Sequence, residues 1–344
     1  MTTFIWRVVR WAQQQRKMRR LLRRYRGSLQ SGRYLIDRSI ACRAGYVPPG
    51  NLLQKNGNSR LRSPAFLLRG VHDSAGYECI ANVGGGMLLF GGNSMTVKRV
   101  ASGSPFDDQY IALRECFSRH FSVPTFEVDA SGKAQIEQQV NGVCLDELDG
   151  PRQLELVKDL MRRLASLCTE HRQSDSGRFV HQALEDLDPA VLPSELTRWL
   201  PILRSSKLVT DAPLVPSHGD FLLKNVFVDG SNTWIIDWDS RFIGLRPFWY
   251  DALSLFKTPE SHYLRNAFIE GRFDSELTGL VAASGLQSVI KDLKDMKPVR
   301  KLLAVAWIVS FRYPNMNAYR LNQLITTHFD RWFAFTGRNE FHRD

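Results

Sequence analysis

The residues most able to do chemistry lie in one short stretch in the second half of the chain. This stretch contains the tripeptide His218-Gly219-Asp220 and, five residues after Asp220, Asn225. An apolar strand pattern, a turn with the sequence DGSN and a second apolar strand pattern follow, and the second one ends at Asp237. Two carboxylates and one amide at this spacing suit phosphoryl transfer, because that reaction depends on positioning and charge neutralisation more than on covalent help.

Each of these polar side chains can take a defined part in such a transfer. Asp220, in a loop before a strand, can accept the proton of an acceptor hydroxyl group or orient that hydroxyl as it attacks. Asn225 can turn its side-chain oxygen towards Mg²⁺, a hard cation that prefers oxygen ligands. Asp237 can bring a full negative charge to the metal ions that bridge the nucleotide phosphates. A hairpin between Asn225 and Asp237 would bring these two residues together.

The segments HGDFLLKN, IIDWDS and RPFWYDAL are similar to motifs of the aminoglycoside phosphotransferase and choline kinase family, whose members are relatives of protein kinases. The resemblance covers roughly residues 65–340. It implies that Asp220 is the catalytic base and that Asn225 and Asp237 are magnesium ligands. It also implies that Asp251, in the segment WYDAL, is a buried anchor that braces the catalytic loop.

A kinase-like small lobe also requires a glycine-rich turn over the phosphates, a strand lysine and a helix glutamate. Gly84, Gly85 and Gly86 lie between two strand patterns, where missing side chains let backbone N–H groups approach phosphate oxygens. Lys98 lies in an apolar strand pattern, from which its ammonium group can pair with the α- and β-phosphates. Glu115, on a predicted helix, can hold that lysine in place.

Each of these three features has a structural alternative. A GGG sequence is also a common hairpin connection. Lys98 can be a solvated residue of an edge strand, and Glu115 can pair with a neighbouring arginine. Their order upstream of the HGD loop favours the nucleotide-binding interpretation.

Two further sets of residues have supporting parts. Gln138, Gln139 and Val140 fall where members of the resembled family link the two lobes and hydrogen-bond adenine through backbone groups. His218 is expected to hold the catalytic loop through hydrogen bonds rather than to act as a base. None of the other seven histidines is predicted to be a ligand.

The order of the elements predicts an α+β, bilobal, protein-kinase-like fold with a small antiparallel β lobe and a larger helical lobe. Short β-rich runs such as GYECIANV, MLLF and MTVKRV predict an antiparallel meander. Beyond Pro151, apolar residues recur at helical spacing. We therefore divide the chain into a basic amphipathic helix and linker (1–60), a β-rich nucleotide-binding lobe (61–141) and a helical catalytic and substrate-binding lobe (142–344).

The formal net charge of +11 is concentrated near the N-terminus. Residues 1–50 contain eleven Arg and one Lys against one Asp, and the rest of the chain is close to neutral. This distribution does not support a basic nucleic-acid-binding face spread over a domain. Apolar residues within 4–26 recur at steps of three and four, which predicts an amphipathic helix. Such a helix fits an anionic membrane surface and fits packing on the protein body equally well. Binding to nucleic acid and a function as an organellar transit sequence are less favoured explanations of this helix.

The remaining composition describes a globular chain of 344 residues with 43% hydrophobic residues, which excludes disordered and fibrous classes. Five cysteines without a CxxC pair suit neither a disulfide framework nor a zinc site, so we expect reduced thiols. No run of 18 apolar residues is present, and Arg7 and Arg10 interrupt the first apolar run. We expect a cytoplasmic protein, with peripheral attachment to the inner face of a membrane as an open alternative.

These observations predict an ATP- and Mg²⁺-dependent phosphotransferase whose acceptor is a hydroxyl group on a sugar or related small metabolite. GTP is an alternative donor. The basic helix leaves a membrane-presented glycolipid or polysaccharide precursor open as the acceptor. A kinase of choline, aminoglycosides or amino alcohols in solution is a second hypothesis. A pseudokinase-like nucleotide-binding module is a third, against which the intact Lys98, Asp220, Asn225 and Asp237 count.

Overall fold

The computed structural model describes residues 2–37, 40–44, 66–68, 76–83, 86–91, 96–100, 106–172, 185, 192, 194–310 and 318–333. The chain forms two compact units. The first unit comprises Met1–Asp108 and Pro124–Val140, and the second comprises Gln109–Val123 and Asn141–Asp344. The helix that carries Glu115 therefore belongs to the second unit, whereas the sequence analysis places it with the β-rich lobe.

The first unit is built on an antiparallel sheet of eight described strands. These are β1 (Gly32–Asp37), β2 (Ile40–Arg43), β3 (Phe66–Leu68), β4 (Cys79–Val83), β5 (Gly86–Phe90), β6 (Thr96–Val100), β7 (Phe126–Val128) and β8 (Ala134–Gln138). Their order across the sheet is β3-β1-β2-β4-β5-β6-β8-β7, and each neighbouring pair is antiparallel. The predicted meander is confirmed for β4, β5 and β6, whereas β3 pairs with β1.

Strands β1 and β2 lie inside the segment 1–60, which the sequence analysis divides into a helix and a linker only. Tyr34 and Ile36 on β1 are buried, whereas Leu35 between them is half-buried and Arg33 before them is exposed. This alternation is the pattern of a strand with one covered face. The alternation is only a few residues long, and it follows the arginine-rich helix. The helical periodicity of that preceding segment therefore obscured the strand. The sheet therefore begins about 30 residues earlier than predicted.

The N-terminal helix α1 (Thr2–Arg24) is packed on this sheet through its second half. Met18 and Leu22 are buried in one hydrophobic cluster with Leu29, Tyr34 and Ile36. The packed-helix alternative therefore holds for the described side chains of α1. The described basic side chains on the opposite face are exposed, and they are Arg16, Lys17, Arg20, Arg23 and Arg24.

Cys42 on β2 and Cys79 on β4 are register partners in the sheet. Their sulfur atoms are joined in a disulfide. The expectation of reduced thiols throughout is therefore wrong for this pair. Sequence spacing could not indicate the pairing, because the two residues meet only when their strands become neighbours. Cys116, Cys144 and Cys168 are free.

The second unit is mainly helical. Helix α3 shows how its sequence specifies it: Asp149 caps the N-terminus by accepting a hydrogen bond from the N–H of Arg152 at 2.9 Å. The apolar residues at three- and four-residue steps between Leu154 and Cys168 are buried, as the pattern predicts. The described helices are α2 (Asp108–Ser118), α3 (Gly150–His171), α4 (Ser194–Thr197), α5 (Trp199–Ser205), α6 (Lys207–Thr210), α7 (Tyr250–Ser254), α8 (His262–Ile269), α9 (Asp274–Ala283), α10 (Gln287–Ile290), α11 (Lys297–Val309) and α12 (Ala318–Phe333).

Short strands within this unit carry the predicted catalytic segment. They are β9 (Val143–Cys144), β10 (Leu214–Ser217), β11 (Val226–Asp229), β12 (Asn232–Ile235) and β13 (Gly244–Pro247). β11 and β12 form the predicted antiparallel hairpin, and β9 pairs with the opposite edge of β11. β10 pairs with β13, so the chain enters and leaves the catalytic segment through two neighbouring strands.

Aromatic side chains fill the core between α7, α8, α11 and α12. Trp307 and Trp332 are fully buried and their ring centroids lie 6.0 Å apart. Trp332 also contacts Phe256 and Phe268 edge to face. These two tryptophans are therefore core residues and offer no exposed face to a cationic substrate. Among the helices that the structure describes, none is long and apolar enough to cross a membrane.

Candidate active site

The β11–β12 hairpin positions the two proposed metal ligands. A short 3₁₀ turn, Leu223–Asn225, leads into β11, and the N–H of Ile236 donates to the carbonyl oxygen of Asn225 at 2.9 Å. This bond fixes the residue before Asp237 against Asn225. Residues twelve positions apart in sequence are therefore brought to the same end of the hairpin, as its register predicts.

Asn225 is tied to Asp220 by its side chain. The side-chain amide nitrogen of Asn225 donates to the backbone carbonyl oxygen of Asp220 at 2.8 Å and lies 3.5 Å from the Asp220 carboxylate. A carbonyl oxygen can only accept, so the amide NH₂ group must face Asp220. The side-chain oxygen of Asn225 is then directed away from that carbonyl group, which suits a cation ligand.

His218 is a buried support of the loop. Its Nε2 lies 3.0 Å from the carbonyl oxygen of Ile236, and the N–H of Asp220 donates to its Nδ1 at 3.4 Å. These two contacts require a neutral ring with the proton on Nε2. Burial lowers the pKa of His218, against the opposing influence of the Asp251, Asp220 and Asp237 carboxylates. Both the Asp220 and the Asp237 carboxylates therefore lie near this ring.

Asp251, on α7, holds the start of the loop from beneath. Its carboxylate accepts hydrogen bonds from the hydroxyl of Ser217 at 2.9 Å, the N–H of His218 at 2.8 Å and the N–H of Gly219 at 3.1 Å. Burial raises the pKa of Asp251, and the same hydrogen bonds and His218 oppose that rise. Asp251 is therefore buried against the start of the loop, and its role as an anchor of the catalytic loop stays a prediction.

Gly219 lets the loop pass close to a neighbouring backbone. Its φ is +76°, a conformation that L side chains rarely adopt. A Cβ atom at this position would lie 2.0 Å from the carbonyl oxygen of Phe242. Only glycine can therefore occupy the position between His218 and Asp220 without moving the chain.

Asp237 has an unusual backbone conformation. With φ of 65°, it is the one described non-glycine residue in the left-handed region. Trp238, which follows it, is fully buried, donates its indole N–H to the carbonyl oxygen of Ile235 at 2.8 Å and contacts the His218 ring at a centroid distance of 4.5 Å. This anchored tryptophan fixes the position of Asp237 from one side. Strain of this kind often marks functional positions.

Asp239 has a local structural part. Its carboxylate accepts hydrogen bonds from the backbone N–H and the side-chain Nε of Arg241, both at 3.0 Å. The N–H of Phe242 donates to its carbonyl oxygen at 2.9 Å. Asp239 therefore stabilises the turn after Trp238. These contacts are structural and give Asp239 no part in the chemistry.

Lys257 is a residue of this site that sequence reasoning missed. Its ammonium nitrogen lies 3.6 Å from a carboxylate oxygen of Asp220, and the two side chains are only 14% and 15% exposed. It lies six residues after Asp251, beyond the end of α7. A single lysine at the end of a short helix is usually solvated, so its sequence carried no signal of this contact.

The residues proposed to bind nucleotide in the β-rich lobe are described only in part. Gly86 begins β5, whereas Gly84 and Gly85 lie outside the described residues. The backbone of Lys98 pairs with Ile136 and Leu89 in the middle of the sheet, and its side chain lies outside the described part.

The other two predicted nucleotide contacts are placed as follows. Glu115 is exposed on α2. Gln138 ends β8, and the half-buried Gln139 and Val140 follow it as the last residues of the first unit. Their predicted roles in nucleotide binding stay predictions.

Comparison with known families identifies the segment that carries this site. Residues 135–286 match the sequence model of the phosphotransferase enzyme family. This part of the chain is a phosphotransferase-family domain. It includes the loop at Asp220, the β11–β12 hairpin and the anchor Asp251. The predicted family, the prediction of a phosphotransferase that acts on hydroxyl groups and the α+β, kinase-like fold are confirmed.

Solved structures also resemble the chain that carries this phosphotransferase domain. A glucosamine kinase in complex with glucosamine, ADP and inorganic phosphate is 18% identical, with a TM-score of 0.46 over 78% of this chain and 77% of that chain. The GDP complex of wild-type aminoglycoside 2'-phosphotransferase-IIIa is 14% identical, with a TM-score of 0.45 over 73% and 92%. A choline/ethanolamine kinase family protein from Mesorhizobium loti is 17% identical, with a TM-score of 0.37 over 72% and 92%. No curated protein sequence matches the chain.

Proposed function

We propose that the protein transfers the γ-phosphoryl group of ATP, with Mg²⁺, to a hydroxyl group of a sugar or a related small metabolite. The observation that carries this proposal is the shared frame of His218 and Asp251. The frame fixes the loop of Asp220 and contacts the strand end before Asp237. A fixed frame of this kind lowers the reorganisation that the reacting groups need at the moment of transfer.

Within this proposal Asp220 is the group that meets the acceptor. Its carboxylate accepts the proton of the hydroxyl group as the oxygen attacks phosphorus. The N–H contact to His218 and the amide contact from Asn225 hold Asp220 in place. His218 cannot serve as the base here, because its Nδ1 already accepts from Asp220 and burial keeps its pKa low.

The side chains of Asn225 and Asp237 fit a magnesium ion by the chemistry of their donor atoms. One offers an amide oxygen and the other a carboxylate, which are the hard ligands that Mg²⁺ prefers. A bound ion would neutralise charge on the nucleotide phosphates. The Ile236 contact holds the backbone of Asn225, and the buried Trp238 holds the residue before it. The amide contact to the Asp220 carbonyl oxygen orients the Asn225 side chain.

The charge around Asp220 supports a neutral acceptor over a cationic one. The Lys257 ammonium group lies 3.6 Å from the Asp220 carboxylate in a partly buried environment. Like charges repel more strongly where water is scarce, so a cationic choline or aminoglycoside group would be disfavoured beside it. Because the tryptophans Trp307 and Trp332 are packed in the core, neither offers a cation-binding face. A neutral sugar hydroxyl is not repelled by Lys257 and needs no cation-binding face.

The N-terminal helix supports one refinement of the acceptor class. Its second half is packed on the sheet through Met18 and Leu22, so those apolar side chains are not available to a bilayer. The exposed face carries Arg16, Lys17, Arg20 and other basic side chains. Contact with an anionic membrane through this face would be electrostatic, which suits a glycolipid or polysaccharide precursor as acceptor.

The proposal is tested by following ADP or GDP release from Mg²⁺ nucleotide with a panel of sugars, glycolipid precursors, choline and aminoglycosides. We expect ATP-dependent turnover of at least one neutral hydroxyl acceptor. Asp220→Asn should lower kcat by about a hundredfold or more while nucleotide binding persists. Asp237→Asn should weaken Mg²⁺-dependent nucleotide binding itself. Asp229→Asn, an exposed position on the same hairpin, is the matched control and should leave both properties unchanged.

Two results would overturn the proposal. Turnover that survives Asp220→Asn at the wild-type rate excludes Asp220 as the base. Tight nucleotide binding without turnover of any acceptor on the panel favours the pseudokinase-like alternative.

A further inference from the structure

A second cluster of polar side chains lies at the junction of α2 and α3, apart from the Asp220 loop in sequence. His120 lies two residues beyond the end of α2, and Glu170 and His171 are the last two residues of α3. One ligand atom from each of the three lies within 4.8 Å of the others. The fold brings these residues together across about 50 positions of sequence.

Two of the three donor–donor distances are close to those around a tetrahedral metal ion, and the third is no longer than 4.8 Å. The Nε2 atom of His120 lies 3.3 Å from the Oε2 atom of Glu170, and the Nε2 atom of His171 lies 3.7 Å from the same oxygen. Ligands at 2.0–2.2 Å from a tetrahedral zinc ion lie roughly 3.3–3.6 Å from one another. The two imidazole rings are perpendicular, with centroids 6.2 Å apart. Both Nε2 atoms therefore lie beside the same carboxylate oxygen of Glu170.

The two histidine nitrogens have no hydrogen-bond partner among the described residues. The side chain of His120 is only 7% exposed, and the Nε2 atoms of both His120 and His171 are shielded from solvent. Both nitrogens lie within ion-pair distance of the Glu170 carboxylate, but neither contact has the geometry of a hydrogen bond. Buried polar atoms left without partners are rare and destabilising, and a bound ion is one recognised explanation. A cation between the three donors would satisfy all of them at once.

The local electrostatics permits a metal ion. Metal binding requires neutral imidazoles, and burial lowers the pKa of His171, aided by Arg119 and His120 and opposed by Glu170. The carbonyl groups at the C-terminus of α3 carry partial negative charge that favours a cation. Arg119 opposes binding by its charge, whereas Arg163 is engaged with the His120 carbonyl oxygen and Asp159.

We propose that His120, Glu170 and His171 form a binding site for one divalent transition-metal ion of the zinc type, with a fourth position open to water beside the 52% exposed Glu170. Two imidazoles and one carboxylate are a recognised three-ligand set for zinc. The ion joins the segment after α2 to the end of α3. The neighbouring Phe121 packs on Phe221 at 5.7 Å, directly beside Asp220. The site therefore stabilises the packing behind the catalytic loop.

The test measures Zn²⁺ binding to the untagged full chain by calorimetry and equilibrium dialysis in a large excess of Mg²⁺. We expect one Zn²⁺ per chain and a rise in Tm on binding. His171→Gln and Glu170→Gln should each weaken binding about tenfold or more and abolish the Tm rise. Both residues are at least partly exposed, so neither substitution should unfold the protein. Substitution with Co²⁺ should give the visible absorption of a tetrahedral ion.

Three matched controls separate this site from others. Glu155→Gln lies on α3 and is exposed, and His262→Gln replaces an exposed histidine on α8. Asp237→Asn alters the magnesium site of the proposed function and leaves this cluster intact. All three variants should bind Zn²⁺ as the wild type does. The proposal is overturned if the wild type has no stoichiometric Zn²⁺ site. It is also overturned if His171→Gln and Glu170→Gln bind Zn²⁺ as tightly as the wild type, which leaves an ordinary His–Glu contact.

Discussion

The backbone N–H of His218 donates to the carboxylate of Asp251 at 2.8 Å, and both residues are buried. This contact joins the catalytic loop to α7. Asp251→Asn turns one acceptor oxygen into an NH₂ donor that faces N–H groups and a hydroxyl. We expect a loss of about 2–4 kcal/mol in the free energy of unfolding, since buried donors are left unsatisfied. Urea denaturation of the two proteins measures this difference.

The control for Asp251 is Ser217→Ala, which removes one donor and leaves both backbone bonds to the carboxylate in place. We expect a loss of about 1 kcal/mol from this change. If Ser217→Ala destabilises the protein as much as Asp251→Asn, the backbone contacts do not carry the anchoring role.

Gly219 provides a second test, through backbone geometry. Gly219→Ala places a methyl group 2.0 Å from the Phe242 carbonyl oxygen at a φ of +76°. We expect at least about 3 kcal/mol of destabilisation, because the backbone itself must move. Gly230→Ala is the matched comparison, since Gly230 also has positive φ but no atom within 4 Å of a Cβ. That change should destabilise by about 1 kcal/mol only. Equal effects in thermal unfolding would contradict the close approach at Gly219.

Lys257 gives a prediction about selectivity. Lys257→Gln removes the positive charge 3.6 Å from the Asp220 carboxylate. We expect kcat/KM for cationic acceptors to rise about tenfold relative to neutral acceptors, since repulsion in a partly buried site is removed. ADP release with choline and with a neutral sugar measures the ratio. Lys291→Gln, at an exposed position, should leave it unchanged, and an unaltered ratio in Lys257→Gln excludes an electrostatic filter.

The buried His328 is expected to make the free energy of unfolding depend on pH. Burial, with the charges of Lys257, Arg331 and Arg265, lowers the pKa of His328 from 6.5 to about 3. The folded pKa lies below the unfolded one, so between these values only the unfolded chain binds the proton. Stability is therefore lost as the pH falls below about 6.5, and the loss continues to about 3. We expect this histidine to account for about 2 kcal/mol of the loss between pH 7 and pH 5.

The contribution of His328 is isolated by comparing the wild type with His328→Gln in denaturant titrations at several pH values. The variant should show a flatter decline, because the glutamine does not titrate. His262→Gln replaces an exposed histidine and should reproduce the wild-type slope. Parallel declines in the wild type and His328→Gln would show that this buried ring does not control the acid response.

Much of the catalytic segment could be predicted because its information is local. The alternation of apolar residues on either side of the DGSN turn specifies the β11–β12 hairpin, and the hairpin then fixes Asn225 against Ile236. Helix α3 follows from three- and four-residue periodicity and from the Asp149 cap. In both cases each residue and the partner that determines its conformation lie within about a dozen positions of one another.

The tertiary structure alone decided the contacts between distant segments. Cys42 meets Cys79, Met18 meets the β1 strand and His120 meets His171 because strands and helices return to the same place. The position of Lys257 beside Asp220 depends likewise on how α7 packs under the loop. Sequence periodicity reports which face of an element is buried but not which distant element covers it. The sequence thus determined the chemistry of the loop, whereas its electrostatic surroundings depended on long-range packing.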